Sequence, residues 1–491
     1  MIRKGPVLLL LALCSAQALY AQQPGEISYH DESVMPTGVI GERISSIIST
    51  LNAGDPEAIR RFIEEECSQQ FANFAPMEEH ISVFLGMLRQ TGGVEFHGVR
   101  TYVPERAGET VVILKDRNFG AWRAFVLRLD EAGRVAGLGF NDARTPTNVD
   151  EPPLSEAQVL EVIEETVERI CANDVFSGTV LLAKEDEILF SRACGEASKR
   201  FHVPNNIDTR FNIGSMNKMF TATALAQLVE RGELSYDETI DKYVDESWLP
   251  REITSKITIH HLLSHTSGLG SYFTEKFFNE SRRLYREIDD FKPLVREEEL
   301  AFEPGDRFLY SNTGMLLLGV VIESATGVSY FDYIRQHIYE PAGMESSDSY
   351  EMDFPIENLA IGYDPQPGRE PAWMNNLFLH SIKGGPAGGG FSTVGDLHRF
   401  ARALVTGVLV SQSSLDVMWT DKSDAGYGYG FGIGVGPKGR VVGHSGGFTG
   451  INGDLAIFVD AGYVVAVLSN YSNGASPLSG RIQDLIGRLQ P

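Results

Sequence analysis

Ser215-Met216-Asn217-Lys218 holds the residues best spaced for chemistry. A serine and a lysine three apart share one face of a helix, so hydroxyl and amine can meet. A lysine withdrawn from water loses its proton readily and can then activate the serine as a nucleophile. The tetrapeptide follows an extended run, Thr209–Ile213, and opens a helix expected over 216–230. A helix N-terminus adds partial positive charge and open N–H groups where an oxyanion would develop. Ser-x-x-Lys occurs once in the chain.

Two further clusters can complete such a site. Tyr310-Ser311-Asn312 precedes a helix expected over 313–325. In an extended segment Tyr310 and Asn312 point to the same side. A phenol near a lysine can act as general base or proton shuttle, and an amide can hold a substrate carbonyl. His444-Ser445-Gly446-Gly447 follows a strand-like run at 440–443. There the Gly447 N–H would be a second oxyanion donor, and His444 would fix substrate charge or carry protons. Tyr471-Ser472-Asn473 repeats the second spacing but follows the third cluster in chain order, so it is set aside.

Other patterns fail on their own terms. Gly443–Gly447 matches G-x-S-x-G, but no histidine follows Ser445, as the nucleophile elbow requires. Gly434–Gly439 matches G-x-G-x-x-G, yet Pro437 breaks it and no helix follows; 426–436 reads better as a strand with one bare face. His261 and His265 are four apart, but without H-E-x-x-H they read as structural supports rather than metal ligands. The acid run Glu297–Glu299 reads as solvated surface. Neither metal nor cofactor is expected.

The elements that must position these residues follow from periodicity. After a polar lead, Ile40, Ile44, Ile47, Ile48 and Leu51 mark a helix. Asp55-Pro56 starts a second, and Met77 to Leu88 carries a third. Strands are expected at 94–103, 110–115, 122–129 and 134–140. Helices first and a strand meander after resemble the nuclear transport factor 2-like cone, over residues 24–148. The Pro-rich stretch 141–153 is a linker. A helix capped by Ser155 and Gln158 opens the region 153–491. Strands at 177–183 and 187–193 near its start, and at 454–459 and 463–468 near its end, suggest one sheet built from both ends, flanked by helices. A helix at 479–489 closes the chain.

The ordered set Ser-x-x-Lys, Tyr-x-Asn and His-x-Gly resembles the serine β-lactamase/penicillin-binding superfamily. It is most similar to the group of class C β-lactamases, D-alanyl-D-alanine carboxypeptidases, D-aminopeptidases and family VIII-type esterases. The runs 261–269 (HLLSHTSGL), Glu303-Pro304-Gly305 and Ala387-Gly388-Gly389-Gly390 agree. The resemblance covers about residues 153–491. It implies a mixed α/β transpeptidase-like fold and an acyl-enzyme mechanism acting on an ester, amide or peptide carbonyl. Carried over, Ser215 is nucleophile, Lys218 its base partner and Tyr310 a proton shuttle. Asn312, His444, Gly446 and Gly447 face the substrate, with the Ser215 and Gly447 N–H groups as oxyanion hole. Class C enzymes carry Lys-Thr-Gly at the third motif, whereas this chain has His444-Ser445-Gly446, which lowers the expectation of β-lactam hydrolysis. The alternative is a penicillin-binding sensor with little turnover.

Composition bounds the rest. The chain has 491 residues, 43% hydrophobic and 22% charged, which is ordinary globular composition for two or three domains. A net charge of -24 with no basic stripe argues against a nucleic-acid partner; the resemblance implies a small-molecule or peptide substrate. Arg3, Lys4, the apolar run 7–13 and the small residues Ala16, Ala18 and Ala21 read as a cleaved export signal over 1–21, too short to span a bilayer. The endpoint is periplasmic or secreted. Cys67, Cys171 and Cys194 would remain; three cannot all pair within one chain, and free buried thiols are expected.

Overall fold

The computed structural model describes residues 28–369 and 372–490, so the expected signal lies outside the described residues. The chain divides into two compact units, Pro24–Val175 with Pro365–Met374 and Arg488–Pro491, and Phe176–Asp364 with Asn375–Gly487.

In the first unit, three amphipathic helices, α1 (Val39–Ala53), α2 (Pro56–Glu66) and α3 (Met77–Thr91), present aliphatic stripes to a sheet. Asp55 caps α2, accepting from the N–H groups of Glu57 and Ala58, with Pro56 in the first turn. The sheet runs β1 (Ser28–Glu32), β2 (Val94–Val103), β3 (Thr110–Asp116), β4 (Trp122–Leu129) and β5 (Val135–Asp142), antiparallel and in that order. Ile44, Ile59, Phe62 and Phe84 from the helices close on Val112, Leu114, Phe125 and Leu127 from the strands. β1 falls within the stretch expected as a polar lead. Its residues are polar, and Asp31 alone among them is buried. That carboxylate receives a fork of two bonds from Arg100, at 2.9 and 3.1 Å, and the Thr147 N–H at 2.8 Å. Helix α4 (Glu156–Ala172), expected to open the second region, packs within the first unit; Ser155 and Gln158 make the anticipated capping box.

The second unit holds β6 (Gly178–Lys184), β7 (Glu187–Cys194), β8 (Gly432–Gly436), β9 (Gly439–Phe448), β10 (Ile451–Phe458) and β11 (Tyr463–Ser469). They form one antiparallel sheet in the order β8-β9-β10-β11-β6-β7. The β11–β6 pairing joins the two ends of the region, as the strand pattern suggested. The run at 426–436 is a strand only from Gly432; before it the backbone turns through Gly426 and Gly430, both at positive φ. Helices α5 (Asn217–Glu230) and α6 (Asn312–Thr326) pack together, while α7 (Val394–Val405) and α8 (Ala475–Gly487) lie against the sheet.

The cysteine expectation needs correcting. Cys171 and Cys194 are disulfide-bonded, and Cys67 is the free buried thiol, its pKa pushed up to about 12 by burial. An odd count leaves one thiol over; it does not keep the others reduced.

Candidate active site

The nucleophile segment is a single tight turn, Gly214–Met216, running straight into α5. Gly214 adopts φ 52°, which a side chain would strain. From Asn217 to Leu228 every residue of α5 is buried, so the helix is packed on all sides, with Asn217, Lys218 and Gln227 as its buried polar exceptions to a mostly small or apolar surface. Ser215 stays half-buried at its mouth, with Lys218 fully buried one turn on.

The Lys218 ammonium reaches three acceptors. Nζ lies 3.2 Å from Ser215 Oγ and 2.9 Å from Asn312 Oδ1, and it donates to the Ala387 carbonyl. None of the three is a carboxylate. An ammonium donates to all three; a neutral amine keeps two donors for Asn312 and Ala387 and turns its lone pair to the Ser215 hydroxyl. The same geometry therefore serves both protonation states. The Tyr310 ring lies 4.7 Å from Nζ and completes the wall.

The sheet supplies the other side. β8 pairs with β9 only as far as Gly443. Beyond it, the strand lies against the nucleophile turn instead. A Cβ on Gly446 would sit 1.9 Å from the Ile213 carbonyl oxygen and 3.2 Å from Ser215 N. A Cβ on Gly214 would sit 3.1 Å from Gly447 N. The Ser215 and Gly447 nitrogens thus share one corner, made by backbone meeting backbone with no room for a side chain. On the far side, the glycine patch brackets the same turn: Gly389 N–H donates to the Gly214 carbonyl at 3.0 Å, and Ile213 N–H to Gly390 at 3.1 Å. Asn217 and Thr221 hold the carbonyls of Gly385 and Pro386 at 2.7 and 2.9 Å, which fixes Ala387 over Lys218.

His444 is placed differently from one of its expected roles. It is 4% exposed. Nδ1 is 2.5 Å from its neighbour's carbonyl, Ser445 O, and therefore carries the proton. Nε2 then accepts from the Tyr427 hydroxyl at 3.0 Å. Burial first, and the Lys218 charge second, hold its pKa down at about 3. A neutral imidazole with both nitrogens engaged cannot fix a substrate anion as a cation would. It instead packs the wall behind Tyr310, whose ring centroid is 6.3 Å away.

The HLLSHTSGL run builds support. His261 closes a capping box with Thr258. His265 is fully buried at φ 58°; its Nδ1 accepts the Ser311 N–H at 3.2 Å and its ring sits 4.4 Å from that of Tyr310. Burial, then Lys218, holds its pKa well below the ordinary value, so it too is neutral. Among the described residues no group of three or more His, Cys, Asp or Glu is placed to hold a metal ion.

Three contributors were not legible beforehand. The Ala387 carbonyl is backbone and leaves no side-chain signature. Ser271 accepts from Asn312 Nδ2 at 3.2 Å. Glu298, within the acid run read as solvated surface, is largely withdrawn from water and accepts the Gly270 N–H; burial raises its pKa. Gly270 in turn receives Ser311 Oγ at 2.9 Å, so Glu298 anchors the loop that carries Ser271.

Known proteins are similar to the chain over the second unit and a little beyond. Residues 162–486 match the beta-lactamase family. Penicillin-binding protein 4* of Bacillus subtilis is 33% identical over 316 residues, 60% of this chain and 68% of that protein. Esterase EstB of Burkholderia gladioli is 34% identical over 209 residues, 40% of this chain and 52% of that protein. The crystal structure of a penicillin-binding protein from Bacillus halodurans superposes with a TM-score of 0.60 at 32% identity, over 66% of this chain and 98% of that one. A D-stereospecific amidohydrolase from Streptomyces superposes with a TM-score of 0.55 at 26% identity, over 66% and 97%. The chain belongs to the beta-lactamase family and is a serine hydrolase of that kind.

Proposed function

We propose that the protein is an exported hydrolase that opens an ester, amide or peptide carbonyl through an acyl-enzyme on Ser215. The observation that carries this reading is Lys218 Nζ at 3.2 Å from Ser215 Oγ, within reach also of two neutral acceptors, Asn312 Oδ1 and the Ala387 carbonyl. Neutral Lys218 takes the hydroxyl proton as Oγ attacks the carbonyl carbon. The oxyanion forms in the corner of the Ser215 and Gly447 N–H groups, where fixed donors stabilise it without reorganising. The leaving oxygen or nitrogen collects a proton from Lys218 by way of Tyr310, and Asn312 orients the substrate. Water then attacks the acyl-enzyme as the steps reverse, giving a carboxylic acid and free Ser215.

Export is supported by the N-terminal pattern and by the disulfide-bonded Cys171 and Cys194, since such bonds persist in oxidising compartments. The first unit, with helices laid on a five-stranded antiparallel sheet, suits a nuclear transport factor 2-like cone.

The test is intact-mass spectrometry after exposure to a fluorophosphonate, an activated ester and a penicillin, with product release followed in the same samples. We expect a Ser215 adduct with the first and turnover of the second. Ser215→Ala, still folded, should lose both; a variant that turns over ester as fast as the parent overturns the reading. A penicilloyl adduct retained without release, together with no ester turnover, would favour the sensor alternative that the penicillin-binding relatives suggest.

A further inference from the structure

We infer that the cleft takes uncharged acyl groups ending in an aryl ring, and that Phe273 and Phe448 read that ring. The inference deepens the acyl-enzyme reading above and rests on it.

β9 lays out the cleft in order. His444 stands beside Tyr310 at the proton-transfer end. Gly446 and Gly447 lie against the nucleophile turn. Phe448 follows, on the same face of the strand as His444 and Gly446 because strand side chains alternate. At the usual strand rise it is about 13 Å from His444. The leaving atom must face Lys218 and Tyr310 to receive its proton. The acyl chain, on the opposite side of the carbonyl, therefore runs towards Phe448.

What it meets there is aromatic. The Phe448 ring stacks on Phe273, with centroids 5.7 Å apart and planes at 27°. Phe273 stacks in turn with Phe278 at 6.2 Å and meets the buried Phe277 nearly edge-on at 5.0 Å. Phe273 lies two residues after Ser271, the partner of Asn312, so the row joins the second-motif side of the cleft to the third. Phe273 and Phe448 are each half-buried, and Phe278 is 41% exposed. Flat rings left partly wet beside a reactive serine gain most when another ring covers them. Arg282 lies over Phe277 at 4.2 Å and Phe278 at 5.5 Å, but it is buried and donates from Nη1 and Nε to the carbonyls of Glu280 and Leu379. His444 offers no positive charge to an acyl carboxylate, because it is buried and neutral.

The experiment compares kcat/KM for p-nitrophenyl acetate, p-nitrophenyl 4-phenylbutyrate and mono-p-nitrophenyl succinate, all with one leaving group. The parent should prefer the phenylbutyrate over the acetate by about tenfold or more and should disfavour the succinate. Phe273→Ala and Phe448→Ala should each lower the phenylbutyrate-to-acetate ratio by about tenfold, and Phe448→Leu by less. Fluorophosphonate labelling of Ser215 is read on every variant. Labelled proteins whose ratio does not move, or a parent that prefers acetate or succinate, overturn this inference alone. A folded parent that never labels overturns the acyl-enzyme reading and this inference with it.

Discussion

Arg100 in the first unit and Lys218 in the second are both buried bases, 5% and 0% exposed, and they are held in opposite ways. Arg100 meets a carboxylate along both arms of its fork. Burial works against its charge, but the hydrogen bond and the charge of Asp31 outweigh it, and its pKa is raised. Lys218 meets a hydroxyl, an amide oxygen and a backbone carbonyl. Those partners stabilise an ammonium less than a carboxylate does, and each tolerates its deprotonation. One site locks a cation to its counter-charge; the other surrounds its nitrogen with neutral acceptors at these three contacts, as the proposed proton transfer requires.

Lys218→Arg breaks the comparison most directly, because arginine stays charged at all accessible pH. The variant keeps the cation and loses the base. Turnover should fall by about 10⁴-fold or more, near the effect of removing Ser215. Ester kinetics on protein shown by circular dichroism to be folded would check this. Activity within tenfold of the parent would mean that the site needs charge rather than proton transfer.

The first unit should respond in stability. Asp31→Asn strands the Arg100 charge and should cost about 3–5 kcal/mol, whereas Asp31→Leu with Arg100→Met, removing both charges, should cost much less. Amide exchange in β2 and β3 under urea reports both. Equal losses would show that the pair contributes net stability and is not merely expensive to break.

His444 sharpens the comparison as a third buried base, this one kept neutral. Unfolded, its imidazole binds a proton below about 6.5; folded, it resists until about 3. Its contribution to stability is therefore full above pH 6.5 and lost as pH falls from 6.5 towards 3. His444→Gln should flatten the fall of the urea midpoint across that window, with His265 and the other histidines held below their ordinary value contributing to the slope that remains. An unchanged slope would mean that His444 is already protonated in the folded state.

The reading of the sequence was strongest where chemistry is local. Ser215 and Lys218 are one helical turn apart, and the hairpins and β2–β5 follow alternation closely enough to be placed within a residue or two at most ends. Tyr310 and His444 could be named by order alone, but their setting could not, because neutrality at His444 comes from burial and from the nearby Lys218 charge. Polarity misled twice. β1 has one buried side chain in five residues, and Glu298 sits in an acidic run whose neighbours are exposed. In both cases a partner distant in sequence decides the matter, Arg100 for Asp31 and Gly270 for Glu298.

The close approach at Gly446 separates two kinds of change that the protein can undergo. The corner where negative charge develops is set by main chain from residues 213–215 and 446–447, and no side chain lies between them. Substitutions lining the rest of the cleft can therefore drift without moving that corner. A lineage could alter its diet by replacing aromatic residues while inheriting the catalytic dimensions intact. At position 446 there is no such latitude: any residue larger than glycine would have to push the strand and the serine apart.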